Sequence, residues 1–529
     1  MHTFQNISNR KLTNCQLAAI FYLGSEMCSV TISEVNSLNI LGIFPYQGKS
    51  HFFVFQPFLR ELAKRGHNVT VISHFPRKEP PQNYTDISLA GSVKILEDVF
   101  PIERSYFIIA MIGVFLVNSG SDNCKMLLQN KEVQSLWNTE MKFDVILVEQ
   151  FNSDCSLGLA HKFEAPVVGV TSHTPMSWHY DRLGMPYNPA YVPFMLFGGG
   201  TKPTLYQRIE IFIFNAYFNF LYKWISQRTD QNTLAEYFDD VPPLEELGRE
   251  MKLMLSYKHP VLFGPSLIPE NVKEVGGYHV TPPRPLTGDL KKFIDEAEHG
   301  VIYISFGSML QASSTPRDKV EAIIGAVSEL PQRVVWKWEE PDLPGKPDNI
   351  FISNWLPQND ILAHSKVLAF YSHCGMLSTT EAIHYGVPML GMPIFGDQPS
   401  NAAAVEESGL GIRIEIGTLT KEELLSKLQI ILDPEYRRKV KVISKAWHDR
   451  PISAMDSAVF WTEFVARNKD LNFRTPAADV PLYKYFNLDV LAVFTPIFYA
   501  LLYLVKSLLC LRKTKTYKLD KNKFNKKIK

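Results

Sequence analysis

The chain has 529 residues, 46% of them hydrophobic and 12% aromatic, which is enough for two domains of roughly 200 to 250 residues that each bury a core. Its net charge of +1 conceals an asymmetry. Nine of the 55 Lys and Arg residues, but only one of the 54 acidic residues, lie in residues 512–529, so the rest of the chain has a net charge of −7. A mildly acidic body argues against a nucleic-acid-binding protein.

The six cysteines do not form a regular framework. Three lie in terminal segments: Cys15, Cys28 and Cys510. Three lie in the body of the chain: Cys124, Cys155 and Cys374. No spacing matches a zinc site, and three is an odd number. One disulfide is compatible with the sequence but is not required by it.

The first 33 residues predict a signal peptide. Arg10 and Lys11 precede a short apolar core at residues 17–23, and small residues follow at 25–29. The alternative is a disordered extension.

Residues 38–73 have the pattern of a strand, a loop, a helix and a second strand. Residues 38–44 and 69–73 are short apolar runs, and a helix between them begins at His51 and is closed by Gly66. This is a doubly wound α/β unit. His51 therefore follows the carboxyl end of a strand, where such sheets bind ligands, although a histidine at a helix start is also a common surface residue.

A later strand, residues 143–148, ends in two candidate acids. Glu149 follows the strand directly and Asp154 comes shortly after it. Either carboxylate could orient His51, because a His–acid pair fixes the imidazole tautomer and stabilises the imidazolium. A helix-capping role is the alternative for Glu149.

The middle of the chain contains one more strand and a long aromatic stretch. Residues 166–170 predict the strand. Residues 176–230 are rich in Trp, Tyr and Phe, and we expect them to be irregular and to line an apolar pocket or rest on a membrane surface. Asn68 and Asn83 lie in Asn-x-Ser/Thr sequences, and Asn83, in a Pro-rich polar loop, is the better glycan acceptor.

A second unit follows the Pro-rich linker at residues 281–288, TPPRPLTG. It opens with a strand at 301–306 and then Gly307 and Ser308, a strand-to-turn arrangement that suits anion binding. Two further strands are predicted at residues 333–338 and 349–353.

Residues 355–398 carry the most informative pattern. A buried strand at 367–371 leads through Ser-His-Cys-Gly into a helix at 378–384, so free backbone amides and the helix dipole point at one place. Glu381 lies one turn into that helix, where an acid can accept from ribose hydroxyls. Trp355 offers a face for a base and Gln358 an amide, and Asp397 and Gln398 close the segment.

This ordered combination resembles the signature segment of the UDP-glycosyltransferases, most closely the membrane-bound insect members, through the Ser-Thr-Thr-Glu run after the turn. The resemblance implies an α/β GT-B architecture, two Rossmann-like domains facing across a cleft. It also assigns a UDP-sugar site: Trp355 on uracil, Gln358 and Glu381 on ribose, Ser308, His373, Gly375 and Ser378 on or near the diphosphate, and Asp397 and Gln398 on the sugar. In that family a histidine at the position of His51 deprotonates the acceptor hydroxyl.

Two positions depart from the family pattern. Cys374 stands where the family usually has Gly, and Glu149 stands where it has Asp. A cysteine at positive φ would be strained, so either Cys374 avoids that conformation or donor binding is slightly altered.

The end of the chain predicts a membrane anchor. Residues 488–511 are 24 mostly apolar residues, long enough to span a bilayer, and the basic tail 512–529 follows at once. The positive-inside rule then puts the tail in the cytoplasm and the body in the lumen. Lys526 and Lys527 resemble a dilysine retrieval signal of the endoplasmic reticulum, with a generic basic tail as the alternative.

The resulting domain plan is a signal peptide (1–33), an acceptor domain (34–280), a linker (281–288), a UDP-sugar domain (289–445), returning helices (446–487), a membrane helix (488–511) and a tail (512–529). The expected activity is inverting transfer of a sugar, by family likeness glucose, to a hydroxyl of a small lipophilic acceptor. No Asp-x-Asp motif is present, so we expect neither a metal nor another cofactor. The alternatives are a catalytically weak luminal binding protein and a glycolipid-forming transferase. Membrane lipid is an expected partner and nucleic acid is not, and the sequence does not fix the oligomeric state.

Overall fold

The computed structural model describes residues 37–96 and 106–527, so the predicted signal peptide lies outside the described residues. Two parallel sheets organise the described chain, one with seven strands and one with six. Their central strands are apolar runs buried on both faces, as expected when helices cover both sides of a parallel sheet, and the edge strands are partly exposed.

The first sheet has the strand order 3-2-1-4-5-6-7. Its strands are β1 (Asn39–Phe44), β2 (Asn68–Ser73), β3 (Tyr84–Ser88), β4 (Val145–Glu149), β5 (Val167–Val170), β6 (Leu253–Ser256) and β7 (Val272–Glu274). Because the order reverses at β1, which pairs with both β2 and β4, the loops after β1 and β4 open beside each other.

Helices pack on both faces of this sheet. They are α1 (Lys49–Lys64), α2 (Tyr106–Gln129), α3 (Lys131–Trp137), α4 (Cys155–His161), α5 (Tyr180–Leu183), α6 (Leu205–Phe220), α7 (Gln227–Ala235) and α8 (Leu244–Glu250). A further short helix, α9 (Pro260–Phe263), follows β6 and buries Leu262 in the core of the second unit. A disulfide joins Cys124 of α2 to Cys155 of α4, a pairing that the sequence left open.

The expectation that residues 176–230 are irregular is confirmed for residues 184–204 and wrong for residues 205–230. A π-helical turn, Leu221–Ser226, links α6 to α7, so residues 205–235 are helical throughout. Thr204 begins this run with a capping box. The Thr204 hydroxyl accepts a hydrogen bond from the backbone N–H of Gln207, and the side-chain oxygen of Gln207 accepts one from the backbone N–H of Thr204. The aromatic content concealed the helical spacing, and α2, α3 and β3 were not predicted either.

The second sheet has the strand order 10-9-8-11-12-13. Its strands are β8 (Val301–Ser305), β9 (Arg333–Lys337), β10 (Ile350–Ser353), β11 (Val367–Ser372), β12 (Met389–Gly391) and β13 (Gly411–Arg413). Its helices are α10 (Gly288–Asp295), α11 (Arg317–Ser328), α12 (Gln358–Leu362), α13 (Met376–Tyr385), α14 (Gln398–Ser408), α15 (Lys421–Leu432) and α16 (Pro434–His448).

The next helix, α17 (Ala454–Arg467), returns to the first unit. Its buried residues Val459 and Val465 join the same core as Phe58 of α1, and Glu463 lies 3.1 Å from the buried His67. This contact couples the far end of the second unit to the first sheet.

The chain ends in α18 (Leu482–Tyr485) and the 40-residue α19 (Leu488–Lys527). Within Leu488–Lys515 a stretch of 18 residues has a mean hydropathy of 2.0, and none of that stretch is buried against the protein. The helix is therefore long and apolar enough to cross a membrane. The helix also continues beyond residue 511 into the basic segment, which the sequence analysis predicts to be a separate tail.

Candidate active site

A cavity of about 450 Å³ lies between the two units and is lined by residues of both. The loops after β1 and β4 meet it from one side, and the turns after β8 and β11 meet it from the other. All of the predicted UDP-sugar residues line this cavity, as does His51.

His51 and Glu149 form a hydrogen-bonded pair at the first-unit side. The loop after β1 places His51 in the first turn of α1, and Glu149 is the last residue of the neighbouring β4. His51 Nδ1 lies 2.8 Å from Glu149 Oε1 and 3.0 Å from Ser172 Oγ. Since an ionised carboxylate can only accept, Nδ1 carries the proton, and Nε2 is the nitrogen with a lone pair for a substrate hydroxyl.

The expectation that Asp154 could orient His51 is wrong. Asp154 is fully buried at the start of α4, where its two oxygens accept from Arg182 at 2.9 and 2.8 Å. Burial alone would raise the pKa of Asp154, but the Arg182 guanidinium more than offsets it and holds that pKa below its usual value. Asp154 is thus a structural ion-pair partner.

Aromatic rings enclose His51. The rings of Tyr46 and Phe151 lie 4.6 and 4.5 Å from the imidazole, between centroids. His173, whose ring lies 5.6 Å away, is a second imidazole that the sequence did not single out. Burial, with a smaller contribution from the neighbouring His51, lowers the pKa of His173 to about 3, so this ring stays neutral. Further apolar lining comes from Ile112, Phe115, Leu116, Met176, Trp178, Phe194 and Phe218.

Two glycines make room for His373 on the second-unit side. A Cβ added at Gly307 or at Gly375 would lie 2.6 or 2.5 Å from His373 Nε2. Burial, with the nearby charge of Lys337, lowers the pKa of His373 to about 3. His373 is therefore a neutral hydrogen-bonding group in this turn, and Ser308 lines the cavity beside it.

Cys374 adopts the positive-φ backbone conformation that is strained for a cysteine. Its φ is 61°, in the left-handed region that favours glycine. The fully buried residue is held by two contacts: its N–H donates to Ser372 Oγ (3.3 Å), and its carbonyl accepts from Asn401 Nδ2 (2.9 Å). Its Sγ occupies the space over Gly391 that a side chain there would need. The first of the two alternatives, that Cys374 avoids positive φ, is thereby excluded.

The residues that the resemblance assigns to ribose are bonded to one another. Gln358 Nε2 donates to Ser378 Oγ (3.0 Å) and to Glu381 Oε2 (2.5 Å). The other Glu381 oxygen lies 3.5 Å from Nε2 of His279, a residue that the sequence did not single out. Gln358 thus orients one carboxylate oxygen of Glu381, and the other lies within ion-pair distance of His279.

Trp355 lies at the mouth of the cavity and is 54% exposed. The ammonium group of Lys49, in the first turn of α1, lies 4.5 Å from the centroid of its ring. The Trp355 ring, which the sequence predicts to stack on a base, is therefore exposed at the cavity and in contact with Lys49 of the first unit.

Asp397 and Gln398 are fixed by the start of α14. Asp397 Oδ2 accepts from Asn401 Nδ2 (2.7 Å), and Gln398 Oε1 accepts from the backbone N–H groups of Ile394 and Phe395 at 2.8 and 3.1 Å. Burial raises the pKa of Asp397, while the Asn401 amide and the facing imidazole of His51 oppose that rise.

Lys337 was missed by the sequence reading. It is the last residue of β9, its buried ammonium group lies 2.8 Å from Glu339 Oε1, and it lines the cavity near His373. The rule that ligands bind at the carboxyl ends of parallel strands could have found it.

Two smaller predictions concern glycans and metals. Asn83 is exposed with a φ of 63°, whereas Asn68 is exposed on the first residue of β2 and donates to Asn39 Oδ1. Within residues 37–96 and 106–527, no group of three or more His, Cys, Asp or Glu side chains could hold a metal ion. The absence of a metal requirement stays a prediction.

Comparison with known proteins agrees with this geometry. Residues 100–523 match the family described as UDP-glucoronosyl and UDP-glucosyl transferase. The chain belongs to this family. It is 35% identical to UDP-glucosyltransferase 2 of Dactylopius coccus, over 90% of the chain and 94% of that protein. It is 32% identical to UDP-glucuronosyltransferase 2B17 of Rattus norvegicus, over 84% of the chain and 87% of that protein.

The family membership identifies a UDP-glycosyltransferase, an enzyme that transfers a sugar from a UDP-sugar. Solved structures confirm the fold. A UDP-glucose:anthocyanidin 3-O-glucosyltransferase in complex with UDP is 18% identical, with a TM-score of 0.55 over 82% of this chain and 99% of that one. The glycotransferase of kitacinnamycin also has a TM-score of 0.55, over 80% of the chain. The two parallel units thus form a GT-B-like fold.

Proposed function

We propose that the enzyme is an inverting glucosyltransferase that uses His51 as general base toward the hydroxyl of a small lipophilic acceptor. The observation that carries the proposal is the 2.8 Å hydrogen bond between His51 and Glu149. His51 lines a cavity that is apolar on its own side and contains the predicted UDP-sugar residues on the other. Glu149 is buried and bonded to Nδ1, and His51 lines the cavity, which supports assigning the other imidazole nitrogen to the acceptor.

The reaction is a single displacement. The acceptor hydroxyl donates to His51 Nε2, and its proton passes to that nitrogen while the oxygen attacks the anomeric carbon. The bond between that carbon and the UDP oxygen breaks at the same time, so the configuration inverts. Glu149 stabilises the imidazolium that forms.

The leaving UDP gains negative charge, and three features of the second unit stabilise that charge. The N-terminal amides of α13 begin at Gly375 and Met376, and the helix dipole adds a partial positive charge. Neutral His373 and Ser308 supply hydrogen bonds. Lys337 is a buried cation on the same side of the cavity. The proposal includes no metal and no cofactor.

Two observations support the choice of substrates. A relative named UDP-glucosyltransferase 2 is 35% identical over nearly its whole length, which favours glucose as the sugar. The side of the cavity that contains His51 is lined by Phe, Leu, Ile, Met and Trp side chains, which favours a lipophilic acceptor.

The test is an assay of the full-length enzyme in detergent with UDP-glucose, UDP-glucuronic acid and UDP-galactose, each offered to a panel of phenols and steroids. We expect UDP-glucose to be used fastest, the product to have inverted anomeric configuration, and EDTA to leave the rate unchanged. Retained configuration would contradict the displacement mechanism. UDP binding without turnover would indicate the silent binding protein, and products formed only in a lipid extract would indicate a glycolipid-forming enzyme.

We further propose that α19 crosses the endoplasmic reticulum membrane with the two α/β units in the lumen and the basic tail in the cytoplasm. Protease added to sealed microsomes should then remove only the tail, and digestion of the body without detergent would reverse the orientation. Replacing Lys526 and Lys527 by Ser should release the protein from the endoplasmic reticulum, and unchanged retention would show that another signal holds it there.

Three substitutions on the donor side should divide UDP binding from sugar binding. Trp355→Ala should cost about 1–3 kcal/mol of base stacking, and Glu381→Ala should cost a comparable amount by leaving ribose hydroxyls unpaired. Asp397→Ala should leave the affinity for UDP nearly intact while turnover falls. Calorimetric titration of UDP into each variant measures the difference, and an equal loss of UDP affinity in all three would contradict the assignment.

A further inference from the structure

His279 lies where the end of the first unit meets α13 of the second. It follows β7, just before the linker at residues 281–288, and its side chain is buried. Its Nε2 lies 3.5 Å from Glu381 Oε1, and its Nδ1 is hydrogen-bonded to the hydroxyl of Tyr257, the residue directly after β6. The three side chains therefore form a row that runs from the first sheet to α13.

The chemistry of this row decides which nitrogen of His279 carries a proton toward Glu381. A carboxylate oxygen can only accept, so Nε2 carries the N–H that faces it. Nε2 makes no hydrogen bond to any residue that the structure describes, so no other acceptor competes with Glu381 for this N–H. Burial raises the pKa of Tyr257 above its usual range, so its hydroxyl keeps its proton and donates to Nδ1.

Glu381 faces the cavity, and His279 stands behind it. Glu381 and Gln358 both line the cavity, and Gln358 donates to the second carboxylate oxygen. Among the described residues, His279 is not part of the cavity lining. A ligand in the cavity would thus contact the carboxylate and not the imidazole, so His279 can influence that ligand only through Glu381.

The turn before His279 is fixed by backbone contacts from both units. Gly277 has a φ of 104°, and a Cβ added at Gly276 would lie 2.7 Å from the carbonyl oxygen of Lys258, so both positions require glycine. Arg450, just after α16, donates to the carbonyl of Gly276 at 3.0 Å. The imidazole is therefore held at a defined place between the sheets.

The start of α13 is seated on the first unit as well. Met376 is buried in the apolar core of the first unit, which also contains Tyr257 and Tyr278. The side chain of Thr380 interacts with the hydroxyl of Tyr257. The helix that presents Glu381 to the cavity thus has its position set by residues of the opposite unit.

We propose that His279 is a positioning residue, held in one tautomer by Tyr257, that fixes Glu381 in the orientation that binds the ribose hydroxyls of the donor. This inference rests on the ribose-binding role proposed above for Glu381. A free glutamate side chain samples several rotamers, whereas an N–H at each carboxylate oxygen favours one of them. Ordering the carboxylate in advance reduces the entropy that is lost when UDP binds. Since Tyr257 and His279 belong to the first unit, the affinity for UDP then depends on how the two units are aligned.

The first test compares UDP with 2′,3′-dideoxyuridine diphosphate, which has no ribose hydroxyls, by calorimetric titration into the full-length enzyme in detergent. His279→Leu should weaken UDP binding by about tenfold, since a hydrogen bond to a charged group is worth at least that factor in an equilibrium. It should leave the affinity for the dideoxy ligand unchanged. Equal losses for both ligands would show a purely structural role and overturn the proposal, as would no loss for either.

A smaller change keeps the proposal testable if His279→Leu does not fold. Tyr257→Phe removes the hydroxyl that fixes the tautomer and should weaken binding of UDP, but not of the dideoxy ligand, by about fivefold, the worth of an ordinary hydrogen bond. Tyr222→Phe is the matched control, because Tyr222 and His179 form a buried pair of the same kind, 3.1 Å apart, in the first unit. Equal UDP affinities in the two tyrosine variants would overturn the proposal.

A double variant separates this inference from the ribose assignment on which it rests. Glu381→Ala should reduce the difference in affinity between UDP and the dideoxy ligand, and adding His279→Leu should then cost little more, because two changes that act through one contact are not additive. If Glu381→Ala keeps the full difference between the ligands, the ribose assignment fails and the inference fails with it. If the difference shrinks but the two losses add in full, only the role of His279 is wrong.

Discussion

His51→Ala should lower the turnover of neutral alcohols and phenols by about 10²–10⁴-fold, the usual contribution of a general base, while UDP still binds normally. The imidazole is on the first unit and the predicted nucleotide contacts are on the second, so its removal should affect the proton transfer and not the donor. Steady-state rates with UDP-glucose and a neutral phenol, together with a UDP titration, measure both quantities.

The internal control for this prediction is the protonation state of the acceptor. A nitrophenolate or a thiolate has no proton to give, so the same variant should lose much less activity toward it. Glu149→Gln should reproduce much of the His51→Ala loss, because an amide can still accept from Nδ1 but does not stabilise the imidazolium by charge. Turnover of neutral alcohols within a factor of about three in His51→Ala would show that the proposed mechanism is wrong.

The parts of the fold that the sequence predicted are those with a local signal. Each predicted strand of the two sheets is a short apolar run, and most observed bounds differ by one or two residues from those predicted. His51 and Glu149 were expected to approach each other because both follow strands of one parallel sheet, and the pairing of β1 with β4 brings them together. This inference needed only the topology.

The parts that failed depend on partners far away along the chain. Asp154 looked like a second candidate for His51 because nothing near it in the sequence shows that Arg182, 28 residues later, binds both of its oxygens. The helix α6 was missed because its apolar residues face outward as well as inward, which hides the usual one-sided period. The conformation of Cys374 could not be predicted for a similar reason, because it depends on a hydrogen bond from Asn401, a residue distant in the sequence, to the Cys374 carbonyl.

Arg182→Met should be strongly destabilising, because it leaves the carboxylate of Asp154 buried without its counter-charge. Both side chains are fully buried, and the loss of one member of such a pair costs about 3–5 kcal/mol. Gln227 Nε2 still donates to Asp154 Oδ2 at 2.8 Å, and this bond is too weak to replace the ion pair. The midpoint of thermal unfolding in detergent, followed at one fixed heating rate, measures the loss.

The control for this substitution is an ion pair of the same chemistry in water. Arg317 and Glu321 are 2.8 Å apart with side chains that are 89% and 64% exposed, and Arg317→Met should shift the unfolding midpoint little, since exposed pairs contribute at most about 1 kcal/mol. The double variant Arg182→Met with Asp154→Leu should recover much of the loss, because it leaves no fully buried charge without a partner: Glu245, which also pairs with Arg182, is 28% exposed and keeps its ion pair with Arg249. If Arg182→Met unfolds at the same temperature as Arg317→Met, the buried pair does not stabilise the first unit as its geometry implies.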